Sequence, residues 1–275
     1  MFFDGHDSLL CDLDGVVYAG DEAIEGAVQT LLELGALGIP IAYVTNNASR
    51  SPESVAEHLN SFGLSVDGEQ VFGSAAAGVA LLDDELGGRT ARVLVVGSDY
   101  LRELVDGAGH EVVESAAEHP EAVIQGFDPL VGWKDLAQAA FAIRSGARWV
   151  ATNTDLTIPR AEGIAPGNGA LVEAVSRATG SMPAAAGKPE PMLFQMAAER
   201  LGGRRPLVVG DRLDTDVLGG NRAGFDTALV LTGVDDRRTT QAAPSDQQPT
   251  WILEDLPALL QAVPDRWAGR TGTDR

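Results

Sequence analysis

Short apolar runs of strand length alternate with segments of helical periodicity along most of this chain, and that alternation limits the fold more than any other feature. The run "LLCDLD" opens it, and residues 27–37 follow as a helix, with Val28, Leu31 and Leu32 on one face and Gly38 ending it. "PIAYVTNN" reads as a second buried strand. Ser51-Pro52-Glu53 reads as a helix start whose apolar face, Val55, Leu59 and Phe62, runs to Gly63. The pattern continues through "ARVLVVGS", "AVIQGF", a helix over 134–144, "RWVATNTD", helices over 169–179 and 191–201, "PLVVGD", a short helix ended by Gly224, and "TALVLTG". Apolar strands recurring between helices are buried on both faces, so the fold class is α/β with a parallel sheet covered on both sides. Residues 235–249 carry no periodicity and read as a surface loop before a last strand and helix around "TWILEDLPALL"; the tail after Pro264 reads as mobile.

At 275 residues the chain has the size at which one hydrophobic core stops growing, so one large domain or two are expected. Its formal net charge of -20 argues against nucleic acid or an anionic membrane surface as partner. None of the apolar runs is long enough to cross a bilayer. The opening "MFFDGHDSLL" has Asp4 and Asp7 where a secretory signal has Lys or Arg, so the expected location is cytoplasmic. Cys11 is the single cysteine and lies in an apolar run, the setting of an inert buried side chain. The basic residues are arginines apart from Lys134 and Lys188, so the position of each lysine is informative.

Open parallel sheets bind ligands beyond the carboxyl ends of their strands. Three strands end there in reactive side chains: "LLCDLD" in Asp12 and Asp14, "IAYVTNN" in Thr45, Asn46 and Asn47, and "PLVVGD" in Asp211, followed by Asp214 and Asp216. Lys188 lies just before a helix in "AAAGKPEPMLF". Singly, each has an ordinary reading: an Asp-Gly turn, a strand-end threonine, a solvated lysine, an acid at a helix start. Together they describe a magnesium and phosphate site. Magnesium takes hard oxygen ligands, which Asp12 and Asp211 can supply from separate strands. Crowded carboxylates without a cation repel each other and hold their protons more tightly. A Thr hydroxyl, neighbouring backbone N–H groups and a lysine can hold phosphate oxygens.

In order along the chain, "DLDGVVY", "VTNNASRSPE", "GKPEP" and "VVGDRLDTDVLGGNRAG" resemble the four motifs of the haloacid dehalogenase superfamily. The second motif, with "QGFDP" and "PGNGALVEAV", is similar to subfamily IIA, the NagD and p-nitrophenyl-phosphatase branch. The resemblance implies a Rossmann-like core, residues 1–88 and 183–275, interrupted by an α/β cap of C2a type over residues 89–182. It implies a Mg2+-dependent phosphatase in which Asp12 attacks phosphorus and forms an aspartyl-phosphate, while Asp14 protonates the leaving alkoxide and then activates water. Asp12, Asp211 and the backbone carbonyl of Asp14 would hold Mg2+, and Thr45, Asn46, Asn47 and Lys188 the phosphoryl oxygens. Asp216 would orient Lys188 or a metal-bound water, and Asp214 reads as a helix N-cap. The expected partner is a small phosphorylated metabolite, first glycerol 3-phosphate, with phosphoglycolate, nucleotides and sugar phosphates as alternatives. The resemblance also allows a homodimer.

Lys134, Asn153, Asp155 and Arg160 lie near the segments where this subfamily's substrate loops are expected, and Trp133 reads as packing at a helix start. His58, His110 and His119 show no metal-ligand spacing and receive no catalytic role. Two other classes share part of the pattern. A phospho-accepting signalling module also gathers acids, a Thr and a Lys at a sheet edge, but Asp14 as a positioned base would hydrolyse its phosphoaspartate. A dehalogenase needs no metal, and Asp14 and Asp211 argue against it.

Overall fold

Ser8–Cys11 is buried along its whole length and has a parallel neighbour on each side, Pro206–Gly210 and Ile41–Thr45. In the computed structural model, described for residues 2–160, 163–262 and 266–267, this strand lies inside a six-stranded sheet. The strand order is Trp251–Leu253, Asp226–Val230, Pro206–Gly210, Ser8–Cys11, Ile41–Thr45 and Val71–Gly73. From Ser8–Cys11 the chain first builds outward to one side, and only after a long excursion does it return to build the other. The strand order therefore reverses at the central strand, where a doubly wound sheet opens a crevice.

The side chains explain why the sheet is covered on both faces. Leu9, Cys11, Ile41, Tyr43, Leu207 and Val209 join Leu31, Leu34, Val55 and Leu59, from helices Ala27–Ala36 and Pro52–Ser61, in one core. Leu10 and Val208 point the other way and are also buried, on the face that helices Met192–Leu201 and Leu218–Ala223 cover. Burying one such leucine contributes roughly 1.5–3 kcal/mol. In Ala27–Ala36 the buried positions are Ala27, Thr30, Leu31 and Leu34; Leu32, expected on that face, is exposed. The stripe through Leu31 runs at spacings of three and four residues, and Leu32 lies one residue round from it. Gly38 does end the helix, at φ 78°.

Contacts divide the chain into two units, Met1–Thr45, Pro52–Phe72 and Lys188–Arg275 forming one, and Asn46–Ser51 with Gly73–Gly187 the other. The second unit has its own parallel sheet, in the order Ala184–Ala185, Arg148–Ala151, Ala122–Gln125, Arg92–Val96 and Glu111–Val113. Val93, Val95 and Ile124 pack toward helices Ser74–Leu86 and Asp99–Gly107, and Leu94, Val96 and Val123 toward Trp133–Arg144 and Asn168–Thr179. The expected insertion, 89–182, lies inside this unit; Ser74–Leu86 and the short segment Asn46–Ser51 join it by contact. An antiparallel pair, Thr157–Arg160 with Gly163–Pro166, had no clear signal in the sequence. The side chain of Arg160 and the tail after Pro264, apart from residues 266–267, lie outside the described residues.

The expected loop 235–249 contains a helix, Arg237–Ala242, and a 3-10 turn, Ser245–Gln247. Capping rather than an apolar stripe forms the helix: Asp236 accepts from the N–H groups of Arg238 and Thr239, each at 2.8 Å. Among the described residues no helix is long and apolar enough to cross a membrane.

Candidate active site

The acids meet at the carboxyl ends of adjacent strands. Asp12 follows Ser8–Cys11 directly, its N–H donating to Val209 O at 2.9 Å, and Asp211 follows Pro206–Gly210 one strand away. Asp216 stands on a π-helical turn, Leu213–Val217, which opens just beyond Asp211. Gly210 is required here, because a Cβ would overlap the Asp216 side chain. Lys188 Nζ donates to Asp12 Oδ1 and Asp216 Oδ1, both at 2.6 Å, and to Val44 O at 3.4 Å. One carboxylate oxygen from each of Asp12, Asp211 and Asp216 lies within 4.8 Å of the others.

Water scarcely reaches these groups, Lys188 being 4 % and Asp216 1 % exposed. Burial pushes the Asp211 carboxyl up to about 8, helped by the like charges of Asp12 and Asp216 and opposed by the Val234 N–H. Asp216 is pushed up to about 6 by burial and by Asp12, against the pull of Lys188. Burial raises Asp12 too, with Lys188 pulling it back. For Lys188 burial favours the neutral amine, but Asp12 and Asp216 outweigh it and hold the ammonium above its ordinary range. Three carboxylates thus face one ammonium. A hard-oxygen donor set with surplus negative charge fits a divalent cation.

Asp14 is exposed and outside this trio. It stands in a tight turn in which Val17 N donates to Leu13 O and Gly15 N to Tyr18 O, both at 2.8 Å. Gly15 has φ 77°, and a Cβ there would overlap the Asp211 carboxylate, so backbone freedom and close approach both demand glycine. Thr45 is buried at the end of the strand beside Asp12's. Asn46 and Asn47 belong by contact to the second unit. There Asn46 Nδ2 donates to both carboxylate oxygens of Asp155, at 3.0 and 3.1 Å, and Asn47 Oδ1 accepts from Ser49 N and Arg50 N.

Asp214 is not the helix cap expected of it. Its carboxylate is exposed and pairs with the Arg212 guanidinium at 2.9 and 3.0 Å, while Asp235 accepts from Leu213 N at 2.8 Å. The segment that supplies Asp235, residues 232–235, is a further part of the site. Thr232 Oγ1 donates to Gly15 O at 2.6 Å and Val234 N to Asp211 Oδ2 at 2.8 Å, and a Cβ on Gly233 would overlap Asp211. Its one signal was the glycine directly after "TALVLT", on the strand beside Asp211's. Cys11 is buried, its thiol donating to Asp12 O at 3.1 Å, and burial keeps it protonated. His58 packs on Tyr18 and Phe62, and His110 bonds Asp83 at 2.9 Å; neither touches the acids.

A doubly wound parallel sheet whose central strand ends in an aspartate, flanked by a buried lysine and two more acids, defines an α/β protein with a site of the kind that takes a divalent cation. Residues 9–111 match the family model described as haloacid dehalogenase-like hydrolase, and residues 185–259 match a second, described as HAD-hydrolase-like. The chain belongs to the haloacid dehalogenase-like hydrolases. It is 46% identical over 256 residues to the D-glycerol 3-phosphate phosphatase of Mycobacterium tuberculosis, covering 93% of this chain and 71% of that protein. It is 38% identical to the acid sugar phosphatase of Staphylococcus haemolyticus, covering 92% of this chain and 95% of that one. Among solved structures it is similar to the M. tuberculosis glycerol phosphate phosphatase in complex with magnesium, with TM-score 0.89, 45% identity, and 94% and 77% of the two chains covered. It is also similar to the p-nitrophenyl phosphatase of Archaeoglobus fulgidus, with TM-score 0.82, 30% identity, and 91% and 97% covered.

Proposed function

We propose that this protein is a Mg2+-dependent phosphatase of small phosphomonoesters, acting through an aspartyl-phosphate on Asp12, with glycerol 3-phosphate as its first substrate. The observation that carries the reading is the buried pairing of Lys188 with Asp12 and Asp216 beside Asp211. Asp12, Asp211 and the Asp14 carbonyl would hold the cation. Magnesium there would offset negative charge on the transferring phosphoryl group and keep neighbouring acids ionised.

The chain's own groups do the rest. The Asp12 carboxylate attacks phosphorus in line as the alkoxide departs, and Asp14, open to solvent, gives that oxygen a proton. Asp14 then takes a proton from the water that cleaves the acyl-phosphate, which restores Asp12. Lys188, fixed by Asp216, and Thr45 hold phosphoryl oxygens, and Asn46 and Asn47 complete that set. The second unit, built around residues 89–182, is read as the part that selects the alcohol. The name of the M. tuberculosis relative supports the glycerol ester, and the staphylococcal relative makes sugar phosphates the next to try.

The test is phosphate release from a panel of phosphomonoesters with Mg2+ or with chelator. Turnover should need the metal, and Asp12→Asn should lower it by roughly a thousandfold or more. Turnover that persists in Asp12→Asn places the nucleophile elsewhere.

A further inference from the structure

Two sequence features are unused by this mechanism: "TNTD", residues 152–155, and "PGNG", residues 166–169. Both lie in the second unit, and hydrogen bonds join them. Asn168 Nδ2 donates to Asn153 O at 2.7 Å, Gly169 N to Asp155 O at 2.8 Å, and Gly167 N to Leu156 O at 2.9 Å. Side chains on either glycine would overlap this loop, because a Cβ on Gly167 runs into Asp155 O and one on Gly169 into Thr154 O. The glycines therefore let helix Asn168–Thr179 begin directly against the backbone of 153–156.

So anchored, the loop grips two distant pieces of chain. Asn153 Nδ2 donates to Asn46 O at 2.8 Å, Asp155 accepts both Asn46 Nδ2 bonds, and Ser74 Oγ donates to Asn46 O at 2.6 Å. Gly187 N donates to Thr152 O at 2.7 Å. A Cβ on Gly187 would lie 2.6 Å from Thr152 O and 2.7 Å from Asn46 Oδ1, so Asn46 and Gly187 are held against the same loop. Asn46 follows Thr45 and Gly187 precedes Lys188, one peptide bond in each case. Every bond of the loop on Asn46 and Gly187 thus constrains the backbone next to a residue assigned to hold phosphate.

We propose that residues 152–155 form a positioning clasp, with Asp155 as its adjustable member, that fixes the backbone beside Thr45 and beside Lys188 and does not contact the substrate's alcohol. The proposal rests on the phosphatase reading above. It also departs from the expectation that Asn153 and Asp155 belong to a substrate loop. Asn153 is 4 % exposed and commits its amide nitrogen to Asn46 O, which is the arrangement of a buried brace.

The experiment compares wild type, Asp155→Ala and Asp155→Asn in kcat and KM on three phosphomonoesters of unlike alcohols, in inhibition by inorganic phosphate, and in melting temperature. Binding of inorganic phosphate is also measured directly by calorimetry. With the fold intact, Asp155→Ala should lower kcat/KM by roughly ten- to a hundredfold on all three esters alike, since small misplacements of catalytic groups cost that much. Inorganic phosphate should bind more weakly by a similar factor. Asp155→Asn, whose amide oxygen still accepts from Asn46, should recover most of the loss. A change in the rank order of the esters would make Asp155 a substrate contact and overturn the clasp, as would unchanged kinetics and phosphate affinity in a folded Asp155→Ala. Wild type that hydrolyses no ester would overturn the phosphatase reading instead, and the calorimetry would then decide the clasp by itself.

Discussion

Lys188 sits between two carboxylates at 2.6 Å with almost no water around it, so its removal is a test of electrostatics as well as of catalysis. Lys188→Met leaves Asp12 and Asp216 facing each other without their cation. Breaking a buried pair this way costs about 3–5 kcal/mol when the acids are ionised. Lys188 has a raised pKa, so its stabilisation is present throughout the neutral range and disappears only at high alkalinity. What varies between pH 5 and pH 8 is therefore the ionisation of its partners, and urea unfolding should show a larger loss at pH 8 than at pH 5. Equal losses would mean that packing, not charge, holds the lysine. Lys188→Arg should keep much of the stability yet lose turnover, because a planar fork cannot replace a point charge between these two oxygens. The sequence disclosed this group through residue types at strand ends and through the rarity of lysine. Beyond the glycine at 233 it did not disclose Val234 or Asp235, whose backbone N–H and carboxylate reach Asp211 and Leu213 only because the chain turns back over the site there.

Elements were legible where burial makes them and illegible where capping does. The parallel strands read as continuous apolar runs because both of their faces are covered, whereas Arg237–Ala242 has no apolar stripe and exists through Asp236. Leu32 failed for a related reason, since an apolar residue beside a buried stripe carries the same letter as one within it. Helix Asp99–Gly107 combines both sources of order: Leu101 and Val105 are buried, and Ser98 accepts from Leu101 N at 3.2 Å while donating to Ala48 O at 3.1 Å. Ser98→Ala removes a cap and leaves the Ala48 carbonyl without that donor, so it should destabilise the protein by about 1–2 kcal/mol. The measurement is the denaturant midpoint at constant m-value. A shift below a few tenths of a kcal/mol would show that the helix is held by its apolar face alone.

For the whole chain, the strand-helix alternation ran on without a break, and the division into two units was suggested by length and by the family resemblance. Their crossing points at 45–46, 51–52, 72–73 and 187–188 were not visible, because they fall inside motifs or, at 72–73, inside the strand Val71–Gly73, instead of in a Gly- or Ser-rich linker. The site's surplus charge has a consequence at the same scale. Asp216 is raised to about 6 and Asp211 to about 8, so the folded protein binds protons that the unfolded chain, with carboxylates near ~3.9, has already released. Stability of the metal-free protein therefore falls as pH rises from about 4 through 8. Magnesium competes with those protons. Only about 1 % of an Asp211 carboxyl with a pKa of about 8 is ionised at pH 6, against about half at pH 8, so apparent Mg2+ affinity should rise roughly fiftyfold between them. At a Mg2+ concentration well above the dissociation constant at both pH values, this adds about 2 kcal/mol to the metal's stabilisation. Melting temperatures with Mg2+ and with chelator should accordingly separate more at pH 8 than at pH 6. In Asp211→Asn, which carries no titrating group at that position, most of the pH dependence of the separation should vanish. A separation as wide at pH 6 as at pH 8 in the unaltered protein would mean that the cation does not depend on Asp211, and Asp211 would lose its assignment as a metal ligand.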